Sequence, residues 1–341
     1  MSLYYILIPV GVGAALYVVR KLRERHFGWV RNASSLKDRI FVITGANTGL
    51  GYETARALVQ RHATVIFACR NMQKAQEAID SIRKETENGQ MVSRGNKQPN
   101  YDTFTTSPPS QIPMELDLAS FDSIKAFAAK LKAEYPHFDC LINNAGLAVK
   151  TEHYTKENFE LHFGVNHLGH FLLTSLLSDV IKQNKSRVVV VSSKMHEKAS
   201  IDFENLGKWV APTPRERTNR HYNSSKLANF YFAKELYRKG YDAHVLCPGL
   251  CHTDFFRDYN PKWYHYVLFS PIAWWYLRSA RQGAQNIIHC ATDNVNTAEK
   301  NPGNDYLVVN LKQTKSKGQI REEDSVRLWT ESEKLIGRNF D

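Results

Sequence analysis

The amino-acid sequence predicts an α/β protein with one doubly wound parallel sheet and helices on both of its faces. Two observations carry this prediction. Short apolar runs of strand length alternate with longer segments of helical spacing, and a glycine-rich turn joins the first strand to the first helix. No linker interrupts the alternation, so we expect a single domain over residues 37–341. A third observation, an uncharged N-terminal stretch, predicts a membrane-anchor helix in front of that domain.

The predicted anchor is the segment Leu3 to Val19, which holds 17 residues without a charge. This length is at the short limit for a membrane-spanning helix, about 17 to 25 residues. Arg20, Lys21 and Arg23 follow the apolar run, whereas a signal peptide carries its positive charges in front. We therefore expect an uncleaved anchor with a basic flank over residues 1–25, and the positive-inside rule places the domain in the cytosol. A monotopic anchor that never crosses the bilayer is the alternative.

Seven short runs are predicted to be strands because they are apolar and rich in β-branched residues. In chain order they are Arg39 to Thr44, Thr64 to Cys69, Met114 to Asp117, Cys140 to Asn143, Arg187 to Ser192, Ala243 to Leu246 and Asp305 to Val309. The segments of helical spacing between them are Gly51 to His62, Met72 to Glu85, Ser120 to Glu134, Phe159 to Lys182, Tyr222 to Lys239 and Gln282 to Thr292. Helices between consecutive strands are the pattern of a parallel sheet.

One segment, residues 88–113, does not fit this alternation. It contains four prolines and almost no apolar periodicity, and it stands where a connection of a few residues would suffice. We predict a flexible insertion at the surface. A tolerated insertion is the simpler interpretation, and a partner-binding loop is the alternative.

Charge and cysteine content exclude several classes of protein. The net charge of +11 suggests attraction to phosphate or to an anionic membrane, but the basic residues form no arginine-rich arm or zinc module, so nucleic acid is not expected as a partner. Five cysteines in a large chain indicate reduced thiols and not a disulfide framework. His167 and His170 are three residues apart without a third ligand, so we interpret them as structural and expect no metal.

The glycine-rich turn is TGANTGLG, Thr44 to Gly51. Gly45 permits a tight turn, while Gly49 and Gly51 let the backbone approach a pyrophosphate at the N-terminus of the following helix. The spacing is GxxxGxG, and its position between the first strand and the first helix makes a dinucleotide site the better interpretation than a turn without a ligand. The predicted cofactor-binding residues of this turn are Gly45, Asn47, Thr48, Gly49, Leu50 and Gly51.

The end of the second strand indicates which dinucleotide binds. NAD sites place a carboxylate there for the ribose hydroxyls, whereas an arginine accommodates the 2′-phosphate of NADP. This chain has Cys69 followed by Arg70, so a guanidinium is present and a carboxylate is absent. We therefore predict NADP(H), with Arg70 as its phosphate ligand.

The stretch YNSSK places Tyr222 and Lys226 on one face of a predicted helix, four residues apart. A free tyrosine has a pKa of about 10 and is a poor base near neutrality. A nearby ammonium stabilises the phenolate, so we expect Lys226 to lower the pKa of Tyr222. Taken alone, the pair could equally be a surface pair in the first turn of a helix.

Seven motifs occur along the chain in one order, and together they favour a catalytic interpretation of Tyr222 and Lys226. They are TGANTGLG, LDLA at Leu116 to Ala119, NNAG at Asn143 to Gly146, VNHLGHF around Asn166, VVSS at Val190 to Ser193, YNSSK, and CPGLCHT at Cys247 to Thr253. Together they resemble the short-chain dehydrogenase/reductase family, which implies a Rossmann-type sheet. The anchor, the ACR ending of the second strand and HFGVNHLGHFLLT most resemble its retinol dehydrogenase-like branch.

The resemblance implies a role for each matching residue. Asn166 would position a water in a proton relay, Ser193 would hydrogen-bond the substrate oxygen, Tyr222 would be the acid/base that also contacts substrate, and Lys226 would hold the nicotinamide ribose. The other implied cofactor contacts are Asp117 and Leu118 at the adenine, Asn143, Ala145 and Gly146 along the cofactor, and Pro248, Gly249 and Thr253 beside the nicotinamide.

An aromatic segment over residues 255–280 follows the last motif. Its tryptophans, tyrosines and phenylalanines suit a pocket for a long apolar substrate, or a seat at the membrane interface. Ordinary core aromatics are the third interpretation.

These observations predict a membrane-anchored, NADP(H)-dependent oxidoreductase that interconverts a lipophilic alcohol and its aldehyde or ketone, retinol-like in kind. A hydroxysteroid or polyprenol dehydrogenase is the alternative within the enzymes, and a catalytically silent nucleotide-binding scaffold on a membrane is the alternative from another class. The expected location is a membrane, the endoplasmic reticulum, with the catalytic domain facing the cytosol. Dimers are common in the family, so a homodimer is an expected assembly, although the anchor can alter it.

Overall fold

Eight strands form one sheet in the computed structural model, which describes residues 15–24, 26–87, 111–211, 213, 219–251 and 277–340. The strands are β1 (Ile40–Thr44), β2 (Thr64–Cys69), β3 (Gln111–Glu115), β4 (Cys140–Asn143), β5 (Arg187–Val191), β6 (Ala243–Leu246), β7 (Tyr306–Val309) and β8 (Lys312–Lys315). Their order in the sheet is β3-β2-β1-β4-β5-β6-β7-β8. All neighbours pair in parallel except β7 and β8, which form an antiparallel hairpin at one edge.

Eight helices follow the first strand within the described residues. They are α1 (Gly49–Val59), α2 (Met72–Glu87), α3 (Phe121–Glu134), α4 (Gly169–Leu176), α5 (Ser178–Asn184), α6 (Arg220–Arg238), α7 (Ala280–Thr292) and α8 (Glu322–Ile336). A π-helical turn, Phe163–Leu168, leads into α4, and short 3₁₀ helices lie at Lys194–Lys198 and Pro302–Asn304.

The apolar core lies in two layers, one on each face of the sheet. On one face Ile124, Phe171, Phe230 and Trp329 of α3, α4, α6 and α8 pack against the strands. On the other face the side chains come from α1, α2 and α7. The predicted doubly wound sheet with helices on both faces is therefore confirmed. The strand order reverses at β1, between β2 and β4, and open sheets of this kind bind ligands at the carboxyl ends of such strands.

Three predicted elements differ from the observed ones. The strand predicted at Met114 to Asp117 is β3, which begins at Gln111 and so takes in the last three residues of the predicted insertion 88–113. The sequence prediction began this strand only after Pro113, but β3 is an edge strand, where a missing N–H is tolerated. Residues 88–110 lie outside the described residues. The helix predicted over Phe159 to Lys182 is divided at Leu177 into α4 and α5.

β8 and α8 were not predicted. β8 is KQTK, a hydrophilic strand at the open edge of the sheet, and it lacks the apolar run that identified the others. α8 buries Leu328 and Trp329 against the core, and its otherwise charged sequence concealed this narrow apolar stripe.

Residues 26–36, a polar segment between the predicted anchor and the predicted domain, are in part folded onto the domain. Phe27 and Leu36 are buried, the Val30 N–H donates to Gln285 Oε1 of α7 at 2.9 Å, and the Leu36 N–H donates to the Arg61 carbonyl at 2.6 Å. A helix covers residues 15–24, and the rest of the predicted anchor lies outside the described residues. Within the part of the chain that the structure describes, no helix is long and apolar enough to cross a membrane.

Candidate functional site

The turn between β1 and α1 is built around close backbone contacts. Gly45 and Gly49 have φ angles of +66° and +57°, in the left-handed region that favours glycine. A Cβ on Gly51 would lie 2.3 Å from the Gly45 carbonyl oxygen and 2.8 Å from Asn144 Nδ2. Only glycine therefore fits at residue 51. The first turn of α1 stands at the carboxyl end of the sheet, where peptide N–H groups of a helix N-terminus favour an anion.

Hydrogen bonds fix the adjoining end of β4 to this turn. Thr44 Oγ1 accepts the N–H groups of Asn144 and Ala145, both at 2.9 Å, and Asn144 Nδ2 donates to the Thr44 carbonyl at 2.8 Å. Asn143, which was predicted to line the cofactor, turns its amide the other way and donates to Thr174 Oγ1 of α4 at 3.0 Å. The sequence prediction missed Asn144, although it is the second asparagine of the NNAG motif.

The predicted adenine side of the site lies at the ends of β2 and β3. The Gly45 N–H donates to the Ala68 carbonyl at 2.8 Å, which places the glycine turn beside the end of β2. Arg70 follows that strand and its side chain is exposed. Asp117 Oδ1 accepts the Ala119 N–H, and Leu118 is buried at 6% exposure. An exposed guanidinium at this position can reach a phosphate in solvent.

Tyr222 and Lys226 share one face of α6, beside the end of β5. The Tyr222 and Ser193 side chains are joined by a hydrogen bond. Lys226 Nζ donates to the Val191 carbonyl at 3.1 Å and lies 5.8 Å from the centroid of the Tyr222 ring. The predicted serine, tyrosine and lysine are therefore brought together at the carboxyl end of the sheet.

The π-helical turn places Asn166 next to this group. Its Oδ1 accepts the Leu147 N–H at 2.9 Å, and its Nδ2 donates to the Leu147 carbonyl and to Ser225 Oγ at 3.1 and 3.0 Å. A Cβ added to Gly146 would lie 3.3 Å from Lys226 Nζ and 3.4 Å from Asn166 Oδ1. The absent side chain of Gly146 thus leaves room between these two polar groups, and π-bulges often mark functional positions.

Burial governs the pKa values of the tyrosine and the lysine. It raises the pKa of Tyr222 above its ordinary value, although the bond to Ser193 acts in the opposite direction. Burial also lowers the pKa of the Lys226 ammonium to about 8. The expected net lowering of the Tyr222 pKa is not found in this arrangement, because desolvation of the phenolate outweighs the hydrogen bond to Ser193. Tyr222 is a neutral phenol at pH 7 and can donate a proton.

Replacing Lys226 by methionine is expected to raise the free energy of unfolding at pH 7 in the protein without added cofactor. Because the folded pKa of about 8 lies below the ordinary 10.5, the charged lysine costs the folded state on the order of 3 kcal/mol at pH 7. This cost is fully present below the folded pKa, falls as the pH rises from 8 to 10.5, and is absent above 10.5. Denaturant unfolding across this pH range should show the advantage of Lys226→Met shrinking as pH rises.

The matched control is Lys234→Met on the same helix. Lys234 is also buried, but it is paired with the Asp305 carboxylate, so its removal leaves a carboxylate without its cation and should destabilise the fold. A Lys226→Met protein less stable than the wild type at pH 7 would contradict the argument.

The turn after β6 provides a second wall of the site. Gly249 has a φ angle of +88°, and a Cβ there would lie 2.7 Å from the Arg278 guanidinium, which also donates to the Pro248 carbonyl at 3.2 Å. Arg278 was not predicted, because it is distant in sequence from the CPGLCHT motif. Thr253 and residues 255–276 of the predicted aromatic segment lie outside the described residues.

The two histidines of NHLGH lie inside the protein. Thr44 Oγ1 and His170 Nε2 form a hydrogen bond of 2.9 Å, and His167 Nε2 bonds Ser332 Oγ at 2.9 Å. Burial lowers the pKa of His167 to about 3 and that of His170 to about 4. Both are neutral and hold elements together. No group of three histidine, cysteine or acidic residues that could bind a metal occurs in the described ranges.

Comparisons with known proteins agree with this geometry. The profile of the short chain dehydrogenase family matches residues 39–205. Retinol dehydrogenase 12 of Homo sapiens is 37% identical over 283 residues, covering 81% of this chain and 81% of that protein. Retinol dehydrogenase 11 of Homo sapiens is 34% identical, covering 99% of this chain and 98% of that protein. A crystal structure of an uncharacterized protein from Mycobacterium paratuberculosis superposes with a TM-score of 0.64 at 29% identity, over 92% of this chain and 99% of that one.

Proposed function

The chain belongs to the short-chain dehydrogenase/reductase family and is an oxidoreductase of its retinol dehydrogenase-like branch, and on that premise we propose that it is a membrane-anchored, NADP(H)-dependent enzyme. Its substrate is a lipophilic alcohol or the corresponding aldehyde or ketone, retinol-like in kind. The observation that carries the proposal is the Ser193–Tyr222 hydrogen bond, with Lys226 and Asn166 beside it next to Gly146 in the loop after β4.

The described residues fit a dinucleotide. The close backbone approach at Gly45 and Gly51 forms a cradle that a Cβ would fill, and Gly146 leaves open space beside Lys226 Nζ. The other proposed contacts are Asn47, Thr48, Gly49 and Leu50 at the phosphates, Asp117 and Leu118 at the adenine, and Ala145, Pro248, Gly249 and Thr253 along the nicotinamide side. Asn143 would act indirectly, because its amide donates to Thr174.

In the proposed mechanism each polar side chain of the site has a separate role. The bound nicotinamide supplies or accepts the hydride. Ser193 donates a hydrogen bond to the substrate oxygen, and Tyr222 donates a proton to that oxygen during reduction and takes it back during oxidation. Lys226 would hold the ribose hydroxyls, and Asn166 would position a water that returns protons to Tyr222.

Arg70 supports the preference for NADP(H), and the variant Arg70→Asp tests it. We expect the ratio of kcat/KM with NADPH to that with NADH to fall by about 10- to 100-fold, since a charge-assisted bond to phosphate is worth roughly 1.5–3 kcal/mol. Lys84→Asp, in the last turn of α2, changes the charge equally away from the strand end and should leave the ratio unchanged. If Arg70→Asp and the wild type had the same ratio of kcat/KM with NADPH to kcat/KM with NADH, Arg70 would not be a ligand of the 2′-phosphate.

The membrane anchor is proposed from the 17 uncharged residues and the basic flank that follows them. The full-length protein in cells should co-localise with the endoplasmic reticulum, should stay with membranes after alkaline carbonate, and should be digested by protease added outside sealed vesicles. Release by carbonate would exclude a spanning anchor, and protection from protease would reverse the orientation.

A substrate panel with NADPH and NADH in parallel tests the substrate class. The purified full-length protein in detergent should show its highest kcat/KM with retinal and NADPH or, in the oxidising direction, with retinol and NADP⁺. Preference for a steroid or a polyprenol would favour the corresponding dehydrogenase, and tight NADPH binding without turnover on any of them would favour a scaffold without catalysis.

A further inference from the structure

A buried carboxylate–imidazole pair lies beside Tyr222 and has no place in the mechanism above. Glu160 and His162 are 1% and 0% exposed, and Glu160 Oε1 lies 2.5 Å from His162 Nδ1. The carboxylate also accepts the N–H groups of His162 and Phe163 at 3.0 and 2.9 Å. Burial acts to raise the pKa of Glu160, but its bonds to His162 and the two peptides outweigh it and the pKa lies below its ordinary value.

The hydrogen bonds determine the tautomer of His162. Its Nε2 accepts the Val149 N–H at 3.0 Å, so Nε2 carries no proton and Nδ1 donates to Glu160. A carboxylate that holds an imidazole in one tautomer is a known way of presenting the other ring nitrogen as an acceptor. Here that acceptor holds the peptide of Val149, in the loop that follows β4.

The carbonyl of the same residue, Val149, is held by the residue that caps α6. Asn219 Nδ2 donates to the Val149 carbonyl at 2.7 Å and lies 3.4 Å from His162 Nε2. Asn219 Oδ1 accepts the Tyr222 N–H at 2.9 Å and so caps the helix at the tyrosine itself. The His162 ring also meets the Tyr222 ring edge-on, with 6.4 Å between centroids. A continuous path of contacts therefore runs from Glu160 to the backbone and ring of Tyr222.

The neighbouring loop is attached to the same pair. The Glu160 N–H donates to the Gly207 carbonyl at 2.7 Å, and His221 Nδ1 lies 3.9 Å from Glu160 Oε2. His221 stacks on Trp209 with 4.5 Å between ring centroids. The pair thus connects the loop after β4, the approach to the π-helical turn, the loop at residues 207–210 and the start of α6. Burying two such groups costs free energy that an apolar pair would not.

We propose that Glu160 and His162 are positioning residues for the reaction, which hold Tyr222 in register with Ser193 and Lys226 through Val149 and Asn219. This inference rests on the proposed function, since it assigns a task only if Tyr222 transfers a proton. Neither residue touches the reacting atoms. They determine the position of the Tyr222 hydroxyl, and a displacement of about 1 Å in a reacting group can lower the rate on the order of 100-fold.

The test compares Glu160→Gln with Asp242→Asn in the full-length protein, using retinal and NADPH. Asp242 and His244 form a second carboxylate–imidazole pair two residues apart, Oδ1 to Nε2 2.8 Å, at the opposite, amino end of the sheet. Both substitutions should lower the melting temperature. Only Glu160→Gln should also lower kcat, by at least ~10-fold, with KM for NADPH changed less than about twofold, because a group acting in the transition state affects kcat selectively.

Asn219 provides a rescue test. Asn219→Ala removes both the cap and the bond to Val149, whereas Asn219→Asp keeps an oxygen for the Tyr222 N–H, as aspartate is a good N-cap. We expect Asn219→Asp to retain several times more kcat than Asn219→Ala. If Glu160→Gln and Asp242→Asn lower the melting temperature and leave kcat within about twofold of the wild type, the pair is structural and the inference is overturned. A wild-type protein without turnover would instead overturn the proposed function.

Discussion

Replacing Tyr222 by phenylalanine is expected to lower kcat by roughly 10²- to 10⁴-fold, the usual contribution of a positioned general acid. The hydroxyl that is lost bonds to Ser193 and stands ready to donate a proton to a substrate oxygen. The ring that is kept still meets His162 edge-on and Lys226 Nζ at 5.8 Å, so the fold and the binding of NADPH should survive. Steady-state kinetics with retinal, beside a fluorescence titration with NADPH, separates these effects.

Tyr231→Phe on the same helix is the matched control. Tyr231 is 1% exposed and its hydroxyl accepts the Arg321 N–H at 3.3 Å, so the same atom and one hydrogen bond are lost from α6 away from Ser193. Its kcat should stay close to that of the wild type. If Tyr222→Phe kept a kcat similar to that of Tyr231→Phe, the proton would have to come from another group.

Replacing Gly51 by alanine is expected to abolish NADPH binding at concentrations that saturate the wild type. The new Cβ would lie 2.3 Å from the Gly45 carbonyl oxygen, and no rotamer change can move either atom, because the oxygen belongs to the backbone and the Cβ is fixed by it. The turn must therefore shift, at a typical overpacking cost of about 1–3 kcal/mol or more. A shift of the turn moves the peptide N–H groups that would hold the phosphates, so the dissociation constant for NADPH should rise by at least ~100-fold.

Gly240→Ala distinguishes this local effect from a general loss of stability. Gly240 has a φ angle of +86°, and among the described residues no atom lies within 4 Å of its Cβ position; it follows α6 at the end away from Tyr222. Alanine there costs roughly 1–2 kcal/mol of left-handed strain but should leave NADPH affinity unchanged. Normal NADPH binding by Gly51→Ala would mean that the cofactor does not approach this turn.

The sequence predicted the parts of the site that lie in contiguous motifs. The glycine turn could be predicted because its backbone conformation restricts the residue type, and YNSSK could be predicted because helical spacing puts Tyr222 and Lys226 on one face. Asn144, Arg278 and Asn219 were missed, since their roles depend on contacts with residues far away in the chain. The periodicity of the sequence does not predict such long-range contacts.

The tyrosine pKa could not be predicted from the sequence for a different reason. The spacing shows that Lys226 is near Tyr222, but it does not show how much water either group loses. Burial opposes the charged form of each, and it determines the direction of both pKa values.

The edge strands β3 and β8 lack the apolar runs of the central strands. Each pairs with only one neighbouring strand, because it lies at an edge of the sheet.

The most direct measurement of the central claim is the transfer of deuterium from the nicotinamide to a lipophilic carbonyl. The full-length protein in detergent is incubated with retinal and with NADPH deuterated at either face of C4, and the retinol is analysed by mass spectrometry. We expect one deuterium at the carbinol carbon from one of the two labelled cofactors, and a rate of transfer that Tyr222→Phe lowers by roughly 10²- to 10⁴-fold. Retinol without deuterium from both labelled cofactors, or no alcohol from retinal or any other lipophilic carbonyl while NADPH binds, would contradict the proposed activity.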